Sequence, residues 1–372
     1  MIASVSILGL QKKLAFASHA ISSRSQLPIL LHFLLEASKD TLKISSTDLE
    51  IGIQTFLPAK VSDEGSTTVP ARTFTELINS LSQGDVILKM QDAALEVSTK
   101  KVKSLFQTIA KDEFPKLYEE KGEVLALLST KELHVDFASV IFAASVDTAR
   151  PALSGVLLRQ EEEGFLLVAT DGYRLSLKHS ATKLKTDNNG GGGVSMIVPA
   201  RAFREIISAK DEGETIAVFV SKEKNQILFQ IGQTELVGRL IEAEFPSFEK
   251  IIPNDFSLTT TFDREELLKA VKICSIFARD SANIIKLSIR KDSIIVSSQT
   301  PSLGENTVEV EAKMIGEENE IAFNARYLLD VLSHLEPEEL TFEMSGPLNP
   351  GVFRIKDDTS FLHLIMPIRI QQ

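Results

Sequence analysis

Val69-Pro70-Ala71-Arg72, with Phe74 two residues on, returns in this chain as Val198-Pro199-Ala200-Arg201 with Phe203. A fainter copy is Phe323-Asn324-Ala325-Arg326-Tyr327-Leu328-Leu329. The three arginines stand 129 and 125 residues apart, a period too long for a solenoid and the mark of whole repeated domains. Downstream, Phe114-Pro115-Lys116-Leu117 recurs as Phe245-Pro246-Ser247-Phe248. Upstream, Leu27-Pro28-Ile29-Leu30 and Thr47-Asp48-Leu49-Glu50 match Arg150-Pro151-Ala152-Leu153 and Thr170-Asp171-Gly172-Tyr173, both displaced by 123. The third copy ends near Met366-Pro367-Ile368, and the spacing puts boundaries near residues 122 and 253.

Each copy opens with a helical pattern, followed by strands, a second helix and more strands. Leu10, Leu14, Ala17 and Ile21 fall on one helical face, and Asp263 ahead of Glu265 and Glu266 suits a helix start before Leu267, Leu268, Val271 and Phe277. The second helices follow the Pro-Ala-Arg element through Phe74, Leu77, Ile78 and Leu81, then Phe203, Ile206 and Ile207. Alternation at Val86-Leu88-Met90, Ala217-Phe219, Ile227-Phe229-Ile231, Leu287-Ile289 and Ile294-Val296 predicts strands. Residues 186–193, ending in four glycines, read as a flexible loop.

The 372 residues, 43% of them hydrophobic, suffice for two or three cores. The single Cys274 forms no internal disulfide, no Cys/His cluster offers a metal site, and a reducing cytoplasm fits best. The N-terminus lacks the basic start and compact apolar core of a signal peptide, and nothing predicts a membrane span. A formal charge of −11 argues against a protein held on nucleic acid by attraction to phosphates alone. Encirclement escapes that objection, because only the lining of a ring must tolerate DNA. Gly190–Gly193 lack the Lys-Ser/Thr of a phosphate loop, the six histidines lack metal-ligand spacing, and no catalytic constellation appears.

Over nearly its whole length the chain resembles the bacterial sliding clamp, the beta subunit of the replicative polymerase. The resemblance is carried by LPILLHFLLE, SSTDLEI, TTVPARTF, DEFPKL, RPALSGVLL, VATDGYRLSL, IVPARAF, AEFPSFEKIIP, IAFNARYLLDVLSHL and MPIRI, in that order. It implies an α+β fold of three repeated sliding-clamp (DNA clamp) domains, 1–122, 123–253 and 254–372. Antiparallel sheets would stand outside and helices would line a ring closed head to tail by two chains. It implies a non-catalytic subunit without cofactors, serving double-stranded DNA, a replicative polymerase subunit, an ATP-dependent clamp loader and other proteins bearing a clamp-binding motif. The competing reading is a repeat-built interaction scaffold that does not bind DNA.

Residue by residue, the resemblance implies sequence-blind DNA contacts from Arg24, Arg72, Arg201, Arg204, Lys12, Lys13, Lys269 and Lys272. It implies a mostly apolar peptide pocket made by Leu153, Thr170, Gly172, Tyr173, Arg174, Leu175, Pro246, Lys250 and Ile251. Asn324, Tyr327, Val352, Leu364, Ile365, Met366, Pro367, Ile368, Arg369 and Ile370 complete it. There, Arg174, Asn324 and Arg369 would offer hydrogen bonds. For the dimer joint it implies Leu77, Leu81 and Phe106 against Ile276 and Phe277, with Lys101 and Lys103 facing Glu305 and Glu309. Three departures from the family pattern are Lys250, where an arginine is usual, Asp147 beside the Arg150 element, and the added Gln371-Gln372.

Overall fold

The structure, a computed structural model, describes residues 1–22, 25–147, 149–183, 194–209, 212–221, 225–280, 282–301 and 303–369. The glycine-rich tract at 186–193 therefore lies outside the described residues. The chain forms two compact units, one of Met1–Glu132 with Arg201–Leu240 and the other of Leu133–Ala200 with Ile241–Gln372. The helices are α1 (Ile7–Ala17), α2 (Ala71–Ser80), α3 (Thr130–Ile141), α4 (Pro151–Ser154), α5 (Ala200–Ser208), α6 (Arg264–Ala278) and α7 (Ala325–His334).

The repeat is legible as a strand that runs straight into a helix, twice per copy. Ile2–Ser6, Glu123–Ser129 and Leu258–Asp263 lead into α1, α3 and α6, while Gly65–Pro70, Ser195–Pro199 and Asn319–Asn324 lead into α2, α5 and α7. Each copy thus opens with a strand, not with the helix that the sequence pattern suggested. A strand of five to seven residues carries too few alternations to stand out beside an amphipathic helix.

Local chemistry sets the helix starts. Asp263 accepts a hydrogen bond from the Glu266 amide at 2.8 Å, and Asn324 accepts one from the Arg326 amide at 2.9 Å. Each satisfies a donor that the first helical turn leaves open. Pro70 stands just before α2, ending its strand. In α1 the stripe Ile7, Leu10, Leu14 and Ala17 is buried, but the helix stops before Ile21, where Ser18–Ala20 tighten into a 3₁₀ turn. In α6 the buried row is Leu267, Ala270, Val271, Cys274 and Ala278, whereas Phe277 is only half-buried. α1 packs on α2, with the Gln11 amide donating to the Ile78 carbonyl at 2.9 Å, and α6 packs on α7.

The first unit holds a five-stranded sheet and an eight-stranded sheet, the second a twelve-stranded one, all with antiparallel neighbours. Successive copies are stitched together by strand pairing. Thr234–Arg239 of the second copy pairs with Ile51–Pro58 of the first, Leu236 opposite Ile53. In the same manner Asp358–Ile365 pairs with Arg174–Ser180, Leu364 opposite Leu175. Among the described residues no helix is long and apolar enough to cross a membrane.

Candidate functional site

The Thr-Asp element repeats down to single atoms. The Thr47 hydroxyl donates to the Ile51 carbonyl at 2.8 Å, and the Asp48 carboxylate accepts from the Glu50 and Ile51 amides at 3.1 and 3.0 Å. In the second copy Thr170 donates to the Arg174 carbonyl at 2.6 Å, and Asp171 accepts from the Tyr173 and Arg174 amides at 2.9 and 3.0 Å. Such a turn needs a left-handed residue. Gly172 takes it at φ +94°, and Leu49 accepts the strain at φ +77°.

Every described member of the sequence-derived pocket set lies in the second unit. The strand pair fixes its centre, with Arg174 opposite Ile365 and Val352 opposite Leu364. Beyond the strand, the Met366 amide donates to the Tyr173 carbonyl and the Ile368 amide to the Ala322 carbonyl, both at 2.8 Å, so the tail runs along the Tyr173 turn. Leu175, Val352 and Leu364 share one core with Phe248, which carries the 3₁₀ turn Glu249–Ile251 against the same sheet.

The set divides by exposure. Leu175, Val352, Leu364 and Ile365 are fully buried and Leu153 and Thr170 nearly so; they form a floor that no ligand touches without rearrangement. Tyr173, Ile251 and Met366 show 60%, 44% and 39% of their surface and supply the apolar faces a ligand can meet. Gly172, Pro246, Lys250 and Arg369 are also exposed, and Pro367, Ile368, Tyr327 and Asn324 are half-buried. Ile370 lies outside the described residues.

Arg174 differs from its expected part as a donor held out to a ligand. It is 8% exposed, and its Nε donates to Asp171 at 3.1 Å, Nη1 to Asp330 at 2.6 Å and Nη2 to the Phe142 carbonyl at 2.9 Å. Its Cζ lies 4.6 Å from the Tyr327 ring centroid and 5.7 Å from that of Phe142. Asn324 likewise spends its side-chain oxygen capping α7. Behind Arg174, His363 is wholly buried; its Nδ1 meets the Ser176 hydroxyl at 2.6 Å and its Nε2 has no hydrogen-bond partner among the described residues. Burial, then the nearby Arg174 charge, holds the His363 pKa well below its usual value. The sequence reading missed Phe142, Asp330 and His363. Only Asp171 carried a signal, through its match to Asp48.

Of the basic residues, Lys12, Arg72, Arg204, Lys269 and Lys272 are exposed on their helices. Arg72 pairs with Glu76 one turn on, at 3.1 Å. Lys13 is taken up by Glu212, and Arg201 by Asp48 and by the His19 carbonyl at 2.5 Å. Arg24 lies outside the described residues.

Two open sheet edges carry residues of the expected dimer joint. Lys103–Gln107 ends the five-stranded sheet. Leu105 on it is 58% exposed, while Phe106 turns inward onto Phe74, ring centroids 5.8 Å apart, and Lys103 pairs with Glu96 at 2.9 Å. In the second unit the long strand Gly304–Gly316 pairs with Ser293–Thr300 through residues 304–311 and with Leu258–Phe262 only through 312–316. One edge of 304–311 is thus left without a strand, carrying exposed Glu305, Glu309 and Glu311, and Ile276 on α6 in the same unit is 55% exposed. Lys101 is exposed, and Leu77, Leu81 and Phe277 are half-buried.

Three α+β repeats, strand-paired at their junctions, define a multidomain protein built from one repeated module. The chain matches the DNA polymerase III beta subunit N-terminal domain over residues 3–118, the central domain over 127–247 and the C-terminal domain over 249–369. It belongs to that family, the bacterial beta sliding clamps, which are non-catalytic processivity factors of the polymerase holoenzyme. The beta sliding clamp of Synechococcus elongatus is 30% identical over 97% of both chains. The crystal structure of the Bacillus subtilis DNA polymerase sliding clamp is 26% identical over the full length of both chains, with a TM-score of 0.92. That of a Pseudomonas aeruginosa sliding clamp bound to griselimycin, 23% identical over both full chains, superposes with a TM-score of 0.90 and shares the fold.

Proposed function

We propose that two copies of this chain close head to tail into a ring around duplex DNA and tether the replicative polymerase to it, giving processivity. The observation that carries this reading is the match of the three repeats, in order, to the three domain families of one clamp subunit. The domains run 1–122, 123–253 and 254–372. An unpaired strand edge invites another strand, and two of the edges among the described residues carry residues of the expected joint, one flanked by lysines and one lined by glutamates. Edge pairing between Lys103–Gln107 of one copy and 304–311 of the other would cover both. Leu105, Leu77, Leu81, Phe106, Ile276 and Phe277 then supply apolar contact, and Lys101 and Lys103 face Glu305 and Glu309.

The DNA contacts rest with exposed Lys12, Arg72, Arg204, Lys269 and Lys272, joined by Arg24, and with Lys13 and Arg201 in a secondary part because they are half-buried against carboxylates. Contacts to phosphate alone are sequence-blind and weaken with salt, which suits a sliding ring. Clamp-binding motifs from the polymerase, the ATP-dependent loader and other replication proteins dock on Tyr173, Ile251, Met366 and their neighbours, over the floor of Leu175, Val352 and Leu364. The protein works in the cytoplasm.

The test is topological. Loaded by an ATP-driven clamp loader onto nicked circular DNA, the protein should co-elute with the circle and be released when the circle is linearised. A net charge of −11 and the acid-paired Lys13 and Arg201 suit an interaction scaffold that never encircles DNA, and retention on neither form would establish that second reading.

A further inference from the structure

Arg174 sits between two aromatic rings and two carboxylates, and its partners come from distant parts of the second unit. Asp171 belongs to its own turn, Phe142 to the segment just after α3, and Asp330 and Tyr327 to α7. Asp330 and Tyr327 are three residues apart on the helix, so they share a face. The guanidinium bonded to the first therefore also lies over the second, its Cζ 4.6 Å from the ring centroid.

We infer that Asp330 is a positioning residue for the partner pocket: its carboxylate pins Arg174 against Tyr327 and thereby fixes the Tyr173–Arg174 turn to α7. This rests on the pocket reading given above and extends it to a residue outside the pocket. The guanidinium offers a rigid planar fork, so two anchored ends fix its plane as well as its position. The turn it holds presents Tyr173, the most exposed aromatic of the site, whose carbonyl also receives the Met366 amide. Without Asp330, Nη1 loses its charged acceptor and Arg174 keeps Asp171 of its own turn and the Phe142 carbonyl after α3, neither of them on α7. The link to α7 is then the ring contact with Tyr327 alone. Tyr173 and Met366 lose a fixed spacing from Tyr327, and a ligand must bear the ordering cost on binding. His334 ties the same point from behind, its Nδ1 2.7 Å from the Asp330 carbonyl and its ring stacked on Phe142 at 4.7 Å.

The experiment is a thermodynamic cycle on the full-length protein, with a synthetic peptide carrying a replicative polymerase's clamp-binding motif as the probe and calorimetric titration as the readout. Asp330→Ala should bind about ten-fold more weakly than wild type, the scale of one lost charged hydrogen bond. Asp330→Asn, which keeps an oxygen acceptor, should lose about three-fold or less. In an Arg174→Met background the Asp330→Ala substitution should cost nothing more, because its effect runs through the guanidinium. A general loosening of the fold would instead add to the Arg174→Met loss and overturn the inference. If wild type binds and Asp330→Ala binds within two-fold of it, the inference falls while the pocket reading stands. If wild type fails to bind the peptide, the pocket reading falls and takes the inference with it. Should Asp330→Ala not fold, the same cycle is run with Asp330→Asn, where affinity equal to wild type in the presence of Arg174 and a further loss in its absence would refute the link.

Discussion

Arg201 of α5 grips the Asp48 carboxylate across 153 residues of sequence, and the second unit makes the same link with its charges exchanged, Arg174 on the turn and Asp330 on the helix. In both places the Thr-Asp turn of one copy is tied to the second helix of the next. Preserving an ion pair while swapping its ends keeps the junction and changes the electrostatics around it.

Arg201 is therefore expected to serve stability first. Arg201→Ala should lower the unfolding free energy by about 1–3 kcal/mol, since it strands a mostly buried Asp48 and removes a bond to the His19 carbonyl. Arg72→Ala, on a side chain 91% exposed, should cost less than about 0.5 kcal/mol. Urea unfolding followed by circular dichroism checks both, as the chain has no tryptophan. Equal costs would remove the distinction drawn between the two arginines.

Floor and face of the pocket should separate cleanly. Leu364→Ala opens a cavity in a sealed core and should cost about 2–5 kcal/mol. Met366→Ala should cost under about 1 kcal/mol of stability yet weaken binding of a clamp-binding-motif peptide roughly ten-fold. Denaturation and titration on the same two variants give the answer. A Met366→Ala protein with undiminished affinity would move the contact surface elsewhere.

Below neutral pH, His363 should make the fold less stable. Its folded pKa is depressed, so above about pH 6.5 both folded and unfolded states hold it neutral and it adds no pH dependence. As pH falls below 6.5 the unfolded chain takes up a proton that the buried ring refuses. Stability then drops by up to about 1.4 kcal/mol per pH unit until the folded pKa is reached. His32, depressed by burial as well, adds a share of its own. Comparing urea unfolding at pH 7.5 and 5.5, His363→Asn should show a smaller drop than wild type, whatever its stability at the higher pH. An identical drop would mean that His363 is protonated in the folded state.

At the proposed joint, Leu105→Asp and Ile276→Asp should each convert a dimer into a 40.9 kDa monomer in sedimentation velocity, with circular dichroism unchanged. Both side chains are more than half exposed in the single chain, so the substitutions leave its core alone. A dimer that survives both changes would locate the contact on another surface.

The helices of each copy were legible because amphipathic periodicity and capping chemistry are local. Asp263 and its following glutamates marked α6 to within a residue, and the Thr-Asp match foretold one turn geometry in two places. The short opening strands were not legible, nor was the role of Phe106, which has the composition of an exposed interface residue but rests on Phe74 while Leu105 faces out. Alternation along a strand gives two faces without saying which is covered.

The repeat, its family and the residue types of the site follow from the sequence alone, since each depends on spacing or on identity at a matched position. Which side chains remain available is a tertiary matter. Arg174, Arg201 and Lys13 look like free cations along the chain, and folding brings each a carboxylate from 153 to 199 residues away or a neighbour in its own turn. A charge's partner is set by the folded path between them, and no periodicity records that path.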